Sequence, residues 1–469
     1  MKTSTSKRLR WNVAIWLAAG LFMTSTAGMA SGPIMPDPKA EARHQPQVEE
    51  TANGIPLVNI TAPSSGGVSR NEYETFNVPD KGAILNNSYT LSKTELAGYV
   101  QGNNNMAERP AKIIVNEVTG AGSTSMDGFL EVAGNRADVV IANPNGITVN
   151  GGGFIHTGKA FLTTGKPIYD DRDNLQNLAV TGGLIDIEGK GLNGKEAGSL
   201  AILSRAVKIN AGIWAKDLHI TTGANNIDAK TLEASAIEGK GGRPAFALDT
   251  AAIGGMYAGR ITLVGTEKGL GVNNSGTWSA EDNLTLDWNG DLKNSGTIYS
   301  KGNADLRASR LENDKTIAAE RNLSAAAKEN IHNQGKLLAG ENMGIYAGKT
   351  LDNAGHAMES RNNLSIETGD AINNAAGTIK SGGSQQIKAG HTLTNTEGTL
   401  AADGNINIQT GRMTGDGIVS AGKKAGILLE KDFTNTGRLE AGSSLSLAGK
   451  GNITNRKEIL SRGHLALES

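Results

Sequence analysis

Few residues of this 469-residue sequence are spaced for chemistry. Asp170, Asp171 and Asp173 form an acidic run that could offer oxygen ligands to Ca²⁺, but it reads first as a solvated loop. Gly189, Gly191 and Gly194 match the G-x-G-x-x-G spacing, yet no helical pattern follows to receive a dinucleotide phosphate. Gly417, Gly422, Lys423 and Lys424 miss a phosphate-binding loop by one residue, since Lys stands where Ser or Thr should bind Mg²⁺. The seven His show no i, i+4 pair, and neither G-x-S-x-G nor H-E-x-x-H occurs. Cysteine is absent, which removes disulfides, thiol catalysis and Cys-ligated metals. The chain therefore reads as non-enzymatic, with no metal and no cofactor.

One short motif has clear mechanics. In Asn143-Pro144-Asn145-Gly146-Ile147, Pro144 fixes φ at the first central turn position and Asn145-Gly146 tolerates positive φ after it. Ile147 then returns to an apolar core. The motif reads first as a tight β-turn, so the elements on either side of it matter more than any reactive group.

Those elements are short strands. Gly numbers 62 and aromatics are only 4% of the chain, which suits frequent turns and not a deep globular core. The net charge of −1 argues against nucleic-acid binding. From residue 272 an apolar residue opens a unit about every 20 residues: Val272, Leu292, Leu311, Ile331, Leu351, Ile372, Leu393, Met413, Phe433 and Ile453. Two residues later stand Asn274, Asn294, Asn313, Asn333, Asn353, Asn374, Asn395, Asn435 and Asn455, with Gly415 the exception. Period-2 apolar pairs such as Leu284/Leu286 and Ile406/Ile408 close the units. Short alternating runs between Gly and Asn are strand-and-turn chemistry. The period predicts an all-β, right-handed parallel β-helix, a solenoid with about 20-residue coils, in which the Asn column stacks as a structural ladder.

The N-terminus carries Lys2, Lys7, Arg8 and Arg10, then an apolar stretch from Trp11 to about Met23, then Gly28-Met29-Ala30. This is the pattern of a secretory signal peptide, residues 1–30, cleaved after Ala30. Residues 31–50 hold four prolines and read as an extended leader without a core of its own. Residues 51–271 repeat the strand-and-turn character without a strict period.

From about Asn71 to Val272 the sequence resembles the haemagglutination-activity domain of filamentous haemagglutinin-like exoproteins of two-partner secretion systems. The matching strings include Tyr73–Val78 (YETFNV), Ala83–Ser88 (AILNNS), Leu96–Gly102 (LAGYVQG), Lys112–Gly120 (KIIVNEVTG), Ala137–Ile147 (ADVVIANPNGI) and Ser204–Lys216 (SRAVKINAGIWAK). The units from 272 to 469 resemble that family's haemagglutinin repeats. The resemblance implies that Asn143–Ile147 serves secretion, through folding or transporter recognition. It places a second motif at Asn103, Asn104, Asn105 and Met106, where the family's Pro is replaced by Asn104. It further implies a cognate outer-membrane transporter with periplasmic domains, passage through the periplasm of a Gram-negative bacterium, and a secreted or surface location as an adhesin-like stalk. A receptor on a host or neighbouring cell is implied too. The alternative is the N-terminal delivery stalk of a contact-dependent growth inhibition toxin whose C-terminal toxin is missing. The last repeat is expected to be a C-terminal truncation point, with self-association through residues near 453–469.

Overall fold

The computed structural model describes residues 32–469, so the signal-peptide reading and the Ala30 cleavage site lie outside the described residues. Residues Pro33–Ser469 form one compact unit, a parallel β-solenoid. In the repeat region each coil contributes three short strands. One coil runs Leu292–Asn294, Thr297–Ser300, Ala304–Ala308; the next runs Leu311–Asn313, Thr316–Ala319, Leu323–Ala327. They pair in parallel with Leu292 on Leu311, Ile298 on Ile317 and Ala304 on Leu323. Because side chains alternate along a strand, this register sends one apolar set inward coil after coil. Ile298, Ile317, Leu337, Met358, Ile379, Leu400, Val419 and Leu439 form one such buried column.

Gly296 and Gly335, each two residues after a ladder Asn, are needed for close approach. A Cβ on Gly296 would lie 2.1 Å from the Gly276 carbonyl oxygen, and one on Gly335 would lie 1.9 Å from that of Lys315. Three coils place their second apolar residue seven positions after the opener: Met358, Ile379 and Leu400. The structure puts the extra residue in the first turn, where Gly355, Ala376 and Glu397 adopt positive φ of 75°, 54° and 54°. The neighbouring strands thus stay in register despite the longer coil.

The leader reading of residues 31–50 is corrected by the structure. Ile34–Pro36 pairs antiparallel with Val68–Phe76, and Gln47–Glu50 pairs antiparallel with Pro56–Asn59. Ile34 is buried in the main core. Its prolines sit in or beside edge-type strands, where a missing N–H costs no ladder bond.

Two excursions explain why residues 51–271 lack a strict period. A hairpin, Ser92–Thr94 with Gly98–Val100, leaves the coil and covers Ile84 and Ala133 on a sheet face. Lys166–Tyr169, Leu175–Val180, Asn225–Asp228 and Ala234–Ala236 build a separate antiparallel sheet. Its Leu178, Val180 and Ile227 pack on Val115, Val140, Phe161 and Leu203 from the outward face of the solenoid. Those coils are buried on both faces, so their strands read as continuous apolar runs rather than alternating ones.

Candidate secretion-motif turns

Asn143 follows the strand Ala137–Ala142 and is fully buried. Its Oδ1 accepts from the Asn145 backbone N–H at 2.9 Å, closing an Asx turn. Its Nδ2 donates to the Gly122 carbonyl at 2.9 Å and to Thr124 Oγ1 at 3.0 Å on the preceding coil. Asn145 is exposed and donates to the Gly120 carbonyl at 2.8 Å. Gly146 sits at φ 116°, its N–H donating to the Asn143 carbonyl at 3.1 Å. Ile147 is buried and opens the strand Ile147–Val149. The turn therefore ties one coil to the one before it and presents Pro144 and Asn145 to solvent.

Asn103–Met106 is built the same way without proline. Asn103 is buried, and its Oδ1 accepts from the Asn105 N–H at 3.0 Å. Its Nδ2 donates to the carbonyls of Ile60, at 2.8 Å, and Asn86, at 3.0 Å. Asn104–Met106 is one turn of 3-10 helix, with Met106 buried beneath it. The Asn103 N–H donates to the Ser88 carbonyl at 2.6 Å, so this turn anchors the base of the 92–100 hairpin. The two motifs share no hydrogen-bond partner; each serves its own coil.

Asn103 has φ −83° and ψ 116°, extended values that a residue before proline favours. Asn104 opens the helical turn, where proline's fixed φ is already suited. Asn104→Pro is therefore expected to stabilise the domain by about 0.4–1 kcal/mol through the unfolded state. A urea melt showing destabilisation would contradict this account of the turn.

The repeat asparagines make side-chain bonds from coil to coil. Nδ2 of Asn274 donates to Oδ1 of Asn294, and so on through Asn313, Asn333, Asn353, Asn374 and Asn395, at 2.7–2.9 Å. Gly415 interrupts the series, and Asn435 donates to Asn455 at 2.8 Å beyond it. A second asparagine series escaped the sequence reading. Asn283, Asn303, Asn322, Asn342 and Asn363 stand at the corner before the third strand, each Oδ1 accepting from the next coil. Their 19–21-residue spacing was available in the sequence but is masked by the many other asparagines.

An ionic cluster beside the Asn103–Met106 turn was equally unreadable. His44 is buried, with Nδ1 3.1 Å from Glu72 Oε1. Arg70 Nη2 lies 2.8 Å from the same oxygen, and its guanidinium rests 4.2 Å over the Tyr169 ring. Arg43 Nη1 donates to Asp173 Oδ2 at 2.7 Å, across 130 residues. Burial pushes the Glu117 carboxyl and the Tyr169 hydroxyl upward. The cluster fastens the N-terminal strands, the solenoid and the antiparallel sheet together. Desolvation likewise raises Glu131, although its carboxylate accepts the Glu95 and Leu96 N–H groups at 2.7 and 2.9 Å and so holds the hairpin turn.

The remaining sequence candidates do not converge. Asp170 accepts from the backbone of Arg172 and Asn174, while Asp173 faces Arg43. Among the described residues no group of three His, Asp or Glu side chains could hold a metal ion. Gly189 and Gly191 form the turn between the strands Leu184–Ile187 and Leu192–Gly194, with no helix after them.

The profile of the TPS secretion domain matches residues 33–299, and that of the haemagglutinin repeat matches 299–409 and 381–469. The toxin CdiA of Yersinia pestis is 42% identical over 297 residues, covering 58% of this chain and 9% of that protein. The 16S rRNA endonuclease CdiA of Enterobacter cloacae is 47% identical over 249 residues, covering 52% of this chain and 8% of that protein. The tRNA nuclease CdiA of Yersinia mollaretii is 40% identical over 325 residues, covering 68% and 11%. The chain thus spans about a tenth of the length of the curated relatives it matches. The crystal structure of a filamentous hemagglutinin secretion domain is similar at 25% identity with a TM-score of 0.48, covering 82% of this chain and all of that one.

Proposed function

Since the chain belongs to the family of exoproteins that carry a TPS secretion domain followed by haemagglutinin repeats, we propose that it is exported by a cognate outer-membrane β-barrel transporter with periplasmic domains and acts as an adhesin-like stalk. The family places it among secreted or cell-surface proteins of Gram-negative bacteria. The observation that carries the proposal is the secretion-domain match over residues 33–299, laid on a solenoid whose two Asx turns lock successive coils. In this reading residues 1–30 direct passage into the periplasm and are removed after Ala30. Asn103–Met106 and Asn143–Ile147 then form the first turns of the emerging solenoid, offering Asn145 and Pro144 to the transporter.

The chain itself performs no catalysis in this reading. Its polar groups are spent on turns, ladders and coil-to-coil ion pairs, such as Arg310 with Asp291 and Lys388 with Glu367. The nuclease activities in the relatives' names belong to those proteins, nine-tenths of which lie outside the match. That similarity favours one second reading, the delivery stalk of a contact-dependent growth inhibition system. Cells displaying the protein separate the two. The adhesin reading expects increased attachment to host or neighbouring cells with no loss of neighbour viability. Killing of co-cultured neighbours by cells displaying the chain fused to a relative's C-terminal nuclease segment, without increased attachment, would favour delivery.

A further inference from the structure

Trp214 and Tyr257 stand one above the other on the outward face of two paired strands, Gly212–Thr222 and Gly255–Gly265. Their rings stack with centroids 6.2 Å apart and an interplanar angle of 16°. Both fold back over bare backbone. A Cβ on Gly212 would lie 2.4 Å from Trp214 Cη2, and one on Gly255 2.8 Å from the Tyr257 hydroxyl. Tyr257 is 39% exposed, and Trp214 is half-buried. The lane is bounded by polar residues, Asn193 on the preceding coil and Ser279 on the following one. Partly buried and stacked, the two rings each offer less than the roughly 150–250 Å² of a whole aromatic side chain, well short of the ~800 Å² that a stable protein partner covers. The platform suits a small ligand with one flat apolar face and a polar rim.

Three residues along the same strands, Asp217 and Arg260 form a bidentate pair at 2.7 and 2.8 Å. Asp217 also lines a cleft of about 720 Å³, a size typical of ligand sites. Lys112, Arg136 and Lys159 line the cleft too, against one further carboxylate, Asp138. Arg136 is held by two hydrogen bonds to the Thr157 carbonyl, which leaves its other donors facing solvent. With Asp217 neutralised by Arg260, the cleft has an excess of positive charge. Trp214 and Tyr257 do not line the cleft, but Asp217, which does, stands three residues after Trp214. We propose that the cleft and the neighbouring aromatic pair together bind an acidic oligosaccharide, a sugar face lying on Trp214 and Tyr257 and a carboxylate held in the cleft by Arg136 and Lys159. This deepens the adhesin reading and rests on it for the surface display of the site.

Trp278 and Trp288 are buried, so among the described residues Trp214 is the one tryptophan a soluble ligand can reach. Tryptophan emission of the purified secreted protein, titrated with hexagalacturonate, reads the site directly. A saturable change is expected. It should disappear in Trp214→Phe, which removes the reporting indole but keeps a ring. Calorimetry should find at least tenfold weaker binding for Trp214→Ala, with the circular dichroism spectrum unchanged. Arg136→Gln should weaken hexagalacturonate several-fold. Maltohexaose, neutral and of similar length, should bind at least tenfold more weakly than hexagalacturonate. Absence of any hexagalacturonate binding, unchanged affinity in Trp214→Ala, or equal affinity for maltohexaose would overturn the proposal. Binding is measured on purified protein, so its failure would leave the export reading untouched.

Discussion

Deleting residues 331–340 should unfold the solenoid around the cut, whereas deleting 331–350 should leave it cooperative. The longer deletion removes one whole coil: the strands Ile331–Asn333, Lys336–Ala339 and Met343–Ala347. Leu351 then falls on Leu311, Met358 on Ile317 and Leu364 on Leu323, apolar on apolar in each column. The ladder closes as well, with Asn313 facing Asn353. The shorter deletion takes two strands and leaves the third. Met343–Ala347 must then lead on from Asn330, and the inward set no longer meets its neighbours. Met343 and Ile345, which stay in the chain, each gain about 1.5–3 kcal/mol from burial in the intact coil, so their misplacement alone should cost about 3–6 kcal/mol locally. Limited proteolysis should cut the shorter deletion at least tenfold faster near residue 343. Equal resistance of the two variants would contradict the coil assignment.

Asn143→Ala should reduce export at least tenfold while leaving signal-peptide removal intact. The substitution removes the acceptor that closes the Asx turn and both donors that reach Gly122 and Thr124. Loss of a buried, multiply bonded amide costs about 2–3 kcal/mol. Asn333→Ala provides the control. It strands the Asn313 donor and the Asn353 acceptor at a comparable energetic cost, but in the repeats, outside residues 33–299. Immunoblots of medium and periplasm would report both. An Asn333→Ala export defect as deep as that of Asn143→Ala would mean that general stability, and not the secretion-domain turn, limits export.

The repeat half of the fold was legible because its signal recurs. The opener and its Asn occur at a nearly fixed interval, often with a Gly two residues on, and each has a physical reason to be there. The opener fills the core, the Asn reaches the next coil, and the Gly lets two backbones touch. Where coils lengthen, the change appears as a seven-residue step that Ala376 and Glu397 absorb with positive φ.

The N-terminal half was legible only as a resemblance. Its coils are interrupted by a hairpin and by an antiparallel sheet whose strands are up to some 70 residues apart, and no local pattern announces such pairings. The segment 31–50 misled for a related reason. Proline-rich composition describes a segment's own preference and says nothing of the edge it docks against. The Arg43–Asp173 contact spans 130 residues and looks, in sequence, like two solvated charges. The two Asx turns fall between these extremes. Proline and glycine reveal the turn at Asn143, while Asn103 reaches the same geometry with neither residue in its turn.

Residues 33–299 are proposed to act as the export determinant of a two-partner system. The most direct measurement is the amount and N-terminal sequence of the protein in the medium of cells with and without the cognate transporter. Secreted protein beginning at Ser31 is expected only when the transporter is present, with periplasmic accumulation when it is absent. Equal amounts in the medium of both strains would contradict it.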